Sequence, residues 1–137
     1  MIGVLLITHG EMGRHLVDTA RGMLDRLSLP TGIIAIDRED EPEQRLDEAR
    51  RLAARLDAGD GVLLLTDAFG STPSNVANRV AASGPRRVVT GVNLPMLIRI
   101  YNYPELGLSD MVASAVEAGR QGVLACETKD DGRADHA

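Results

Sequence analysis

The residue on which the chemistry of this chain turns is His9. It stands in Thr8-His9-Gly10, directly after the apolar run Val4-Leu5-Leu6-Ile7, where a buried strand would stop and a helical pattern starts. Two other segments have the same character. Thr66-Asp67-Ala68-Phe69-Gly70-Ser71-Thr72-Pro73 follows the apolar run 61–65, and Thr90-Gly91-Val92-Asn93 follows the apolar pair Val88-Val89. In open parallel sheets, ligands collect outside the carboxyl ends of the strands. If these strands are parallel, His9 and Asp67 share one rim. A carboxylate that accepts a hydrogen bond from one imidazole N–H fixes the tautomer and leaves the other nitrogen's lone pair free to attack an electrophile. Gly10 and Gly70 let an anion approach the backbone, and the hydroxyls of Ser71 and Thr72 supply donors. Two helix N-termini facing the same rim suit a dianion. The combination fits a histidine that is itself phosphorylated. Taken one at a time, the same residues are ordinary, because Asp followed by Gly, Ser, Thr and Pro is common turn and cap chemistry.

The elements that must position these residues alternate along the chain. Strands are expected at 2–8, 32–36, 61–66, 87–93 and 122–126, the last being "GVLAC". Between them run amphipathic patterns. From Gly13, apolar residues recur at Leu16, Val17, Ala20, Met23, Leu24 and Leu27, a stripe of period 3.6. Residues 41–56 carry Leu46, Ala49, Leu52, Ala53 and Leu56 on one face. A helix over 71–83 is expected with Thr72 as N-cap and Pro73 at the first helical position. A short helix begins at Pro95, and another covers 109–119 with Ser109 as cap and Gly119 at its end. The expected fold is a single α/β domain over 1–127 with a mostly parallel central sheet and helices on both faces. Residues 128–137 are polar and charged and read as a disordered tail.

Composition narrows the function. Of 137 residues, 15 are basic and 20 acidic, for a net charge of −5, and aromatics make up 2%. A nucleic-acid backbone binder needs a basic surface, and a single-strand binder needs ring platforms. Neither is present, so no nucleic-acid partner is expected. Cys126 is the only cysteine, which excludes an internal disulfide or a thiolate metal cluster and suits a reducing, cytoplasmic setting. No leader-like segment opens the sequence, and no apolar run approaches the roughly 20 residues needed to span a bilayer. No Walker lysine loop occurs, and "HGEMG" lacks the spacing of a dinucleotide fingerprint. Neither a metal nor a cofactor is expected.

Three separated motifs, "THG" after the first strand, "TDAFGSTPSN" after the third and "GVNLPML" after the fourth, give the chain a family likeness over nearly all of 1–126. It resembles the enzyme IIA component of the mannose-type sugar phosphotransferase system. The resemblance implies that His9 accepts a phosphoryl group on Nε2 from the phosphocarrier HPr and passes it to a IIB-type acceptor. It implies that Asp67 holds the other ring nitrogen, that the loop from Phe69 to Thr72 closes around the phosphate, and that Asn93 and Met96 lie next to the site. It also implies a homodimer formed by exchanging an antiparallel edge strand, here 122–126, and association with a membrane permease rather than insertion in the membrane. The chain departs from the transporter pattern in carrying Phe69 and Ser71 where Trp and Gly are frequent, and in showing a polar tail where a linker to a IIB domain would stand.

Three rival readings remain. In a regulatory binding protein, His9 phosphorylation would set affinity for a target and no sugar would be phosphorylated. The phosphotransferase subunit of dihydroxyacetone kinase also has a histidine after its first strand, but "DAFGSTPSN" and "GVNLPM" fit the mannose type better. A flavodoxin-like small-molecule binder would need more aromatic surface. Elsewhere, His15 reads as a partly exposed helix residue, Arg14 as either a phosphate contact or a solvated helix-start residue, and Cys126 as a small core residue.

Overall fold

In the computed structural model, which describes residues 1–128, strands and helices alternate as β1 (Gly3–His9), α1 (Met12–Leu24), β2 (Thr31–Ile36), α2 (Pro42–Leu56), β3 (Val62–Thr66), α3 (Thr72–Ala81), β4 (Arg86–Thr90), α4 (Leu94–Asn102) and α5 (Leu108–Gln121). The four strands form one sheet in the order β2-β1-β3-β4, every pairing parallel. β1 and β3 are the inner strands, and their continuous aliphatic runs reflect burial on both faces. Along β1 the side chains alternate: Val4 and Leu6 enter a core shared with α1, α4 and α5, while Leu5 and Ile7 enter a second core shared with α2 and α3. β4, at the edge, is less buried.

The expected helices form, with shifts that have local causes. Ser71, rather than Thr72, is the N-cap of α3: its backbone is extended and its hydroxyl accepts the Ser74 N–H at 3.5 Å. That hydroxyl also donates to the Ala68 carbonyl at 2.7 Å, a pair of bonds open only to the residue closing the preceding turn. α5 is capped by Gly107 instead of Ser109 and runs through Gly119 to Gln121. Gly119 is an interior helix position because α4 and α5 close on it. A Cβ there would lie 2.9 Å from Cε of Met96, and its carbonyl accepts the Asn93 side-chain amide at 3.1 Å.

The fifth strand is not part of this sheet. Residues 123–128 have no regular structure, and Val123 and Leu124 are exposed. An edge strand exists only through a pairing partner, and within one copy these residues have none. Cys126 is accordingly exposed, not core. The expected tail lies outside the described residues from 129 onward.

One polar link crosses the first core. Tyr101 is buried, and burial pushes its phenol up to about 12. Its hydroxyl lies 2.6 Å from Thr31 Oγ1, which itself donates to the Leu29 carbonyl, so Tyr101 is the donor.

Asp25, which ends α1, has φ +72 and is the one non-glycine residue in the left-handed region among the described residues. A Cβ is unfavourable there, and glycine is the usual occupant. Asp25→Gly is therefore expected to stabilise the fold by about 0.5–1 kcal/mol, read as a higher urea midpoint at unchanged slope.

Candidate active site

β1 and β3 are neighbours, but the helices that follow them leave toward opposite faces, α1 to one core and α3 to the other. That divergence opens a crevice at the carboxyl end of the sheet, where doubly wound folds bind ligands. His9 is the last residue of β1, and Asp67 follows the last residue of β3. Asp67 Oδ2 accepts the His9 backbone N–H at 3.0 Å and lies 2.8 Å from His9 Nδ1.

Charge decides the tautomer. Burial pushes the Asp67 carboxyl up, but the His9 backbone N–H, the ring hydrogen bond and the ring's charge together outweigh it and hold the group below its ordinary value of 3.8. An ionised carboxylate only accepts hydrogen bonds, so in the neutral ring Nδ1 is the nitrogen that carries the proton and Nε2 the one with the lone pair. The His9 side chain is 55% exposed against 7% for Asp67. The imidazole is thus open to the crevice while the carboxylate beside it is shielded from water.

Local sequence secures both strand ends. Thr8 is fully buried, and its hydroxyl accepts the Gly13 N–H at 2.8 Å, doing for α1 what the side chain of Glu11 does not. A Cβ on Gly13 would meet that hydroxyl at 2.9 Å, so glycine lets the first turn of α1 settle onto β1. The end of β3 is tied by the Val92 N–H donating to the Thr66 carbonyl at 3.0 Å.

A cleft of about 380 Å³ opens at His9, walled by Ile36, Asp37, Arg38, Asp40, Pro42 and Thr72. Of the expected phosphate-contacting residues, Thr72 shares this cleft with His9, and Gly10 adjoins His9 in the chain. Phe69 is 86% exposed on the loop before α3, and Gly70 beside it has φ +82. The Ser71 hydroxyl is used within its own loop. Asn93 and Met96 are elsewhere: Asn93 caps α4 by accepting the Met96 N–H at 3.0 Å, and Met96 is core. Both border a groove of about 690 Å³ beside β4 and α5 that does not include His9. Arg14 pairs with Glu11 at 3.2 Å on the surface, and His15 is exposed.

Sequence reasoning missed the wall formed by Asp37, Arg38 and Asp40. Its signal was present, because "DRED" follows the carboxyl end of β2 and the strand-end rule applies to that strand as to the others. Among the described residues, no three His, Cys, Asp or Glu side chains are grouped to hold a metal ion, and no helix is long and apolar enough to cross a membrane.

A doubly wound parallel sheet with a histidine–carboxylate pair at its switch point defines the class. The family model described as the PTS system fructose IIA component, EIIA-man, matches residues 3–116, and the chain belongs to this family, the mannose-type IIA components of the phosphotransferase system. It is 32% identical over 131 residues to the PTS system mannose-specific EIIAB component of Escherichia coli K12, with the same identity to the component of that name from Shigella flexneri. Those matches cover 93% of this chain and 40% of the relatives' length. Among solved structures, the fold is shared with the mannose/sorbose specific IIA subunit from Enterococcus faecalis, at TM-score 0.83 and 24% identity over 94% of this chain and 97% of that one. It is shared also with phosphotransferase system component EIIA from Streptococcus agalactiae, at TM-score 0.82 and 18% identity over 91% and 97%.

The Asp67 contacts give a pH-dependent prediction. A carboxyl whose pKa is lowered by folding contributes stability that is full above its unfolded value, near 3.8, and lost as pH falls through the lower folded value. Asp67→Asn is expected to cost about 1–3 kcal/mol at neutral pH. The gap should close only below that range in denaturant titrations. Nitrogen NMR should show Nδ1 protonated in the wild type and a mixed tautomer in the variant.

Proposed function

We propose that this chain is a phosphocarrier: His9 accepts a phosphoryl group on Nε2 from phosphorylated HPr and passes it to a IIB-type acceptor, in sugar uptake or its regulation. The observation that carries the reading is the 2.8 Å contact between His9 Nδ1 and Asp67 on an exposed imidazole, which leaves Nε2 as the nitrogen free to react. Nε2 attacks phosphorus in line, and the donor's P–N bond breaks with its electron pair returning to the donor imidazole. The donor ring enters protonated on its other nitrogen and leaves neutral. His9 becomes a phosphoimidazolium whose Nδ1–H faces the Asp67 carboxylate. No proton crosses to solvent, no cofactor is required, and imidazole-to-imidazole exchange is close to isoenergetic, so the step runs in both directions.

Catalysis in this scheme comes from placement and from electrostatic stabilisation of the equatorial oxygens. Thr72, at the cleft, donates its hydroxyl to the group. The loop from Phe69 to Ser71 closes over it, with Gly70 allowing the backbone to approach. After incubation with phosphoenolpyruvate, enzyme I and HPr, mass spectrometry should find one acid-labile phosphate on the wild-type chain and none on His9→Ala. An equal gain in that variant would end the assignment. Asp67→Asn should slow uptake roughly ten- to hundredfold, the scale of losing a residue that orients a reacting imidazole.

The reading extends to a cytoplasmic homodimer that exchanges the 122–126 segment. Support comes from the open edge of β4, the apolar groove beside it bordered by Val88, Val89, Val112 and Val116, and the exposed Val123 and Leu124. Sedimentation should report a dimer for the wild type and a monomer for the double substitution Val123→Asp, Leu124→Asp. A dimer surviving that change would remove the exchanged segment from the scheme.

A further inference from the structure

Resting on that reading, we propose that Arg38 is a binding residue for the transferred phosphoryl group. It would supply a guanidinium fork to the equatorial oxygens of the group on His9 Nε2. Arg38 lies in the turn between β2 and α2 and lines the same cleft as His9 and Thr72. It is exposed, and among the described residues no carboxylate lies within 4 Å of its guanidinium. The other arginines near this rim are taken. Arg14 is paired with Glu11 at 3.2 Å, and Arg45 with Asp40 at 3.2 Å and with Glu48.

The acids at the cleft itself are also engaged, with one exception; Glu39, next to Arg38 in the chain, is exposed and does not line it. Asp67 is committed to His9, and Asp40 accepts the Asp37 backbone N–H at 2.7 Å while pairing with Arg45. The exception is Asp37, whose carboxylate borders the cleft and opposes a dianion. That opposition makes the cation necessary. Without Arg38, a phosphoryl group on His9 would face Asp37 with only hydroxyl and backbone donors against it. Arginine suits the task because its planar fork matches two phosphoryl oxygens and stays charged at any working pH. The cleft is thus completed from three strand ends: nucleophile from β1, orienting acid from the turn after β3 with a hydroxyl from the start of α3, and cation from the turn after β2.

The test uses two phosphoryl donors on the full chain. Phosphorylated HPr brings a protein surface, whereas phosphoramidate brings only a P–N bond, from which His9 would displace ammonia. Arg38→Gln should slow phosphate gain about tenfold with both donors, the scale of one charge-assisted contact to a phosphoryl oxygen. Arg38→Lys, which keeps the charge and loses the fork, should fall between. Thermal unfolding should match wild type, since Arg38 is an exposed turn residue. A defect with HPr alone would make Arg38 a protein-docking residue and overturn the proposal, as would rates within twofold of wild type for both donors. Either result would leave the carrier function standing provided that His9 of the wild type is phosphorylated. If it is not, both readings fall together.

Discussion

One shielded carboxylate organises the site. Asp67 Oδ2 holds the backbone N–H and the ring Nδ1 of His9 at once, so a single oxygen sets both where β1 ends and which imidazole nitrogen is bare. Everything else at the rim takes its geometry from that double grip. The ring cannot rotate about its χ angles without giving up the contact, and the strand end cannot fray without carrying the ring away. Because the donors compensate for burial, the carboxylate stays ionised where a lone buried acid would tend to take up a proton.

The grip works because the sheet brings two distant parts of the chain together. Residues 9 and 67 meet through the pairing of β1 with β3, in a register that sets Ile7 opposite Thr66. The diverging paths of α1 and α3 then leave the space above them open. Thr8 and Gly13 press α1 onto β1, and Ser71 turns the chain into α3. His9 and Asp67 therefore sit on the ends of rigid elements, while the glycine-containing loop that follows Asp67 is free of side-chain obstruction at Gly70. A rigidly placed imidazole beside a compliant loop suits the proposed transfer between two docked proteins.

Charge around the cleft is arranged with little surplus. The chain carries a net −5, yet its proposed cargo is a dianion. Local pairing reconciles the two: Asp40, Glu11 and Asp67 are each bound to a cationic or N–H partner, which leaves Asp37 and Arg38 as the opposed free charges at the cleft. An acidic protein can thus keep most of the negative charge at this mouth paired, and the overall charge then bears on solubility and encounter more than on the bound group.

Much of this was legible in the residue order. Alternating aliphatic strands and amphipathic helices gave the doubly wound class, and Thr8-His9-Gly10 and Thr66-Asp67 at strand ends pointed to two side chains that meet in the structure, because side-chain period and strand-end chemistry are local properties. The cap of α3 came out one residue off and Gly119 was mistaken for a helix end, since both depend on which neighbour a group meets. Asn93 and Met96, set beside the site by the resemblance alone, are a helix cap and a core side chain that border the groove beside β4 and α5. The 122–126 segment reads as a strand by composition, but a strand is defined by its partner, and one copy offers none. What tertiary structure alone decided was the strand order. It placed His9 against Asp67, and it brought the β2 turn with Arg38 to the same cleft, for adjacency across a parallel sheet is set by the packing of whole helices and not by any short stretch of residues.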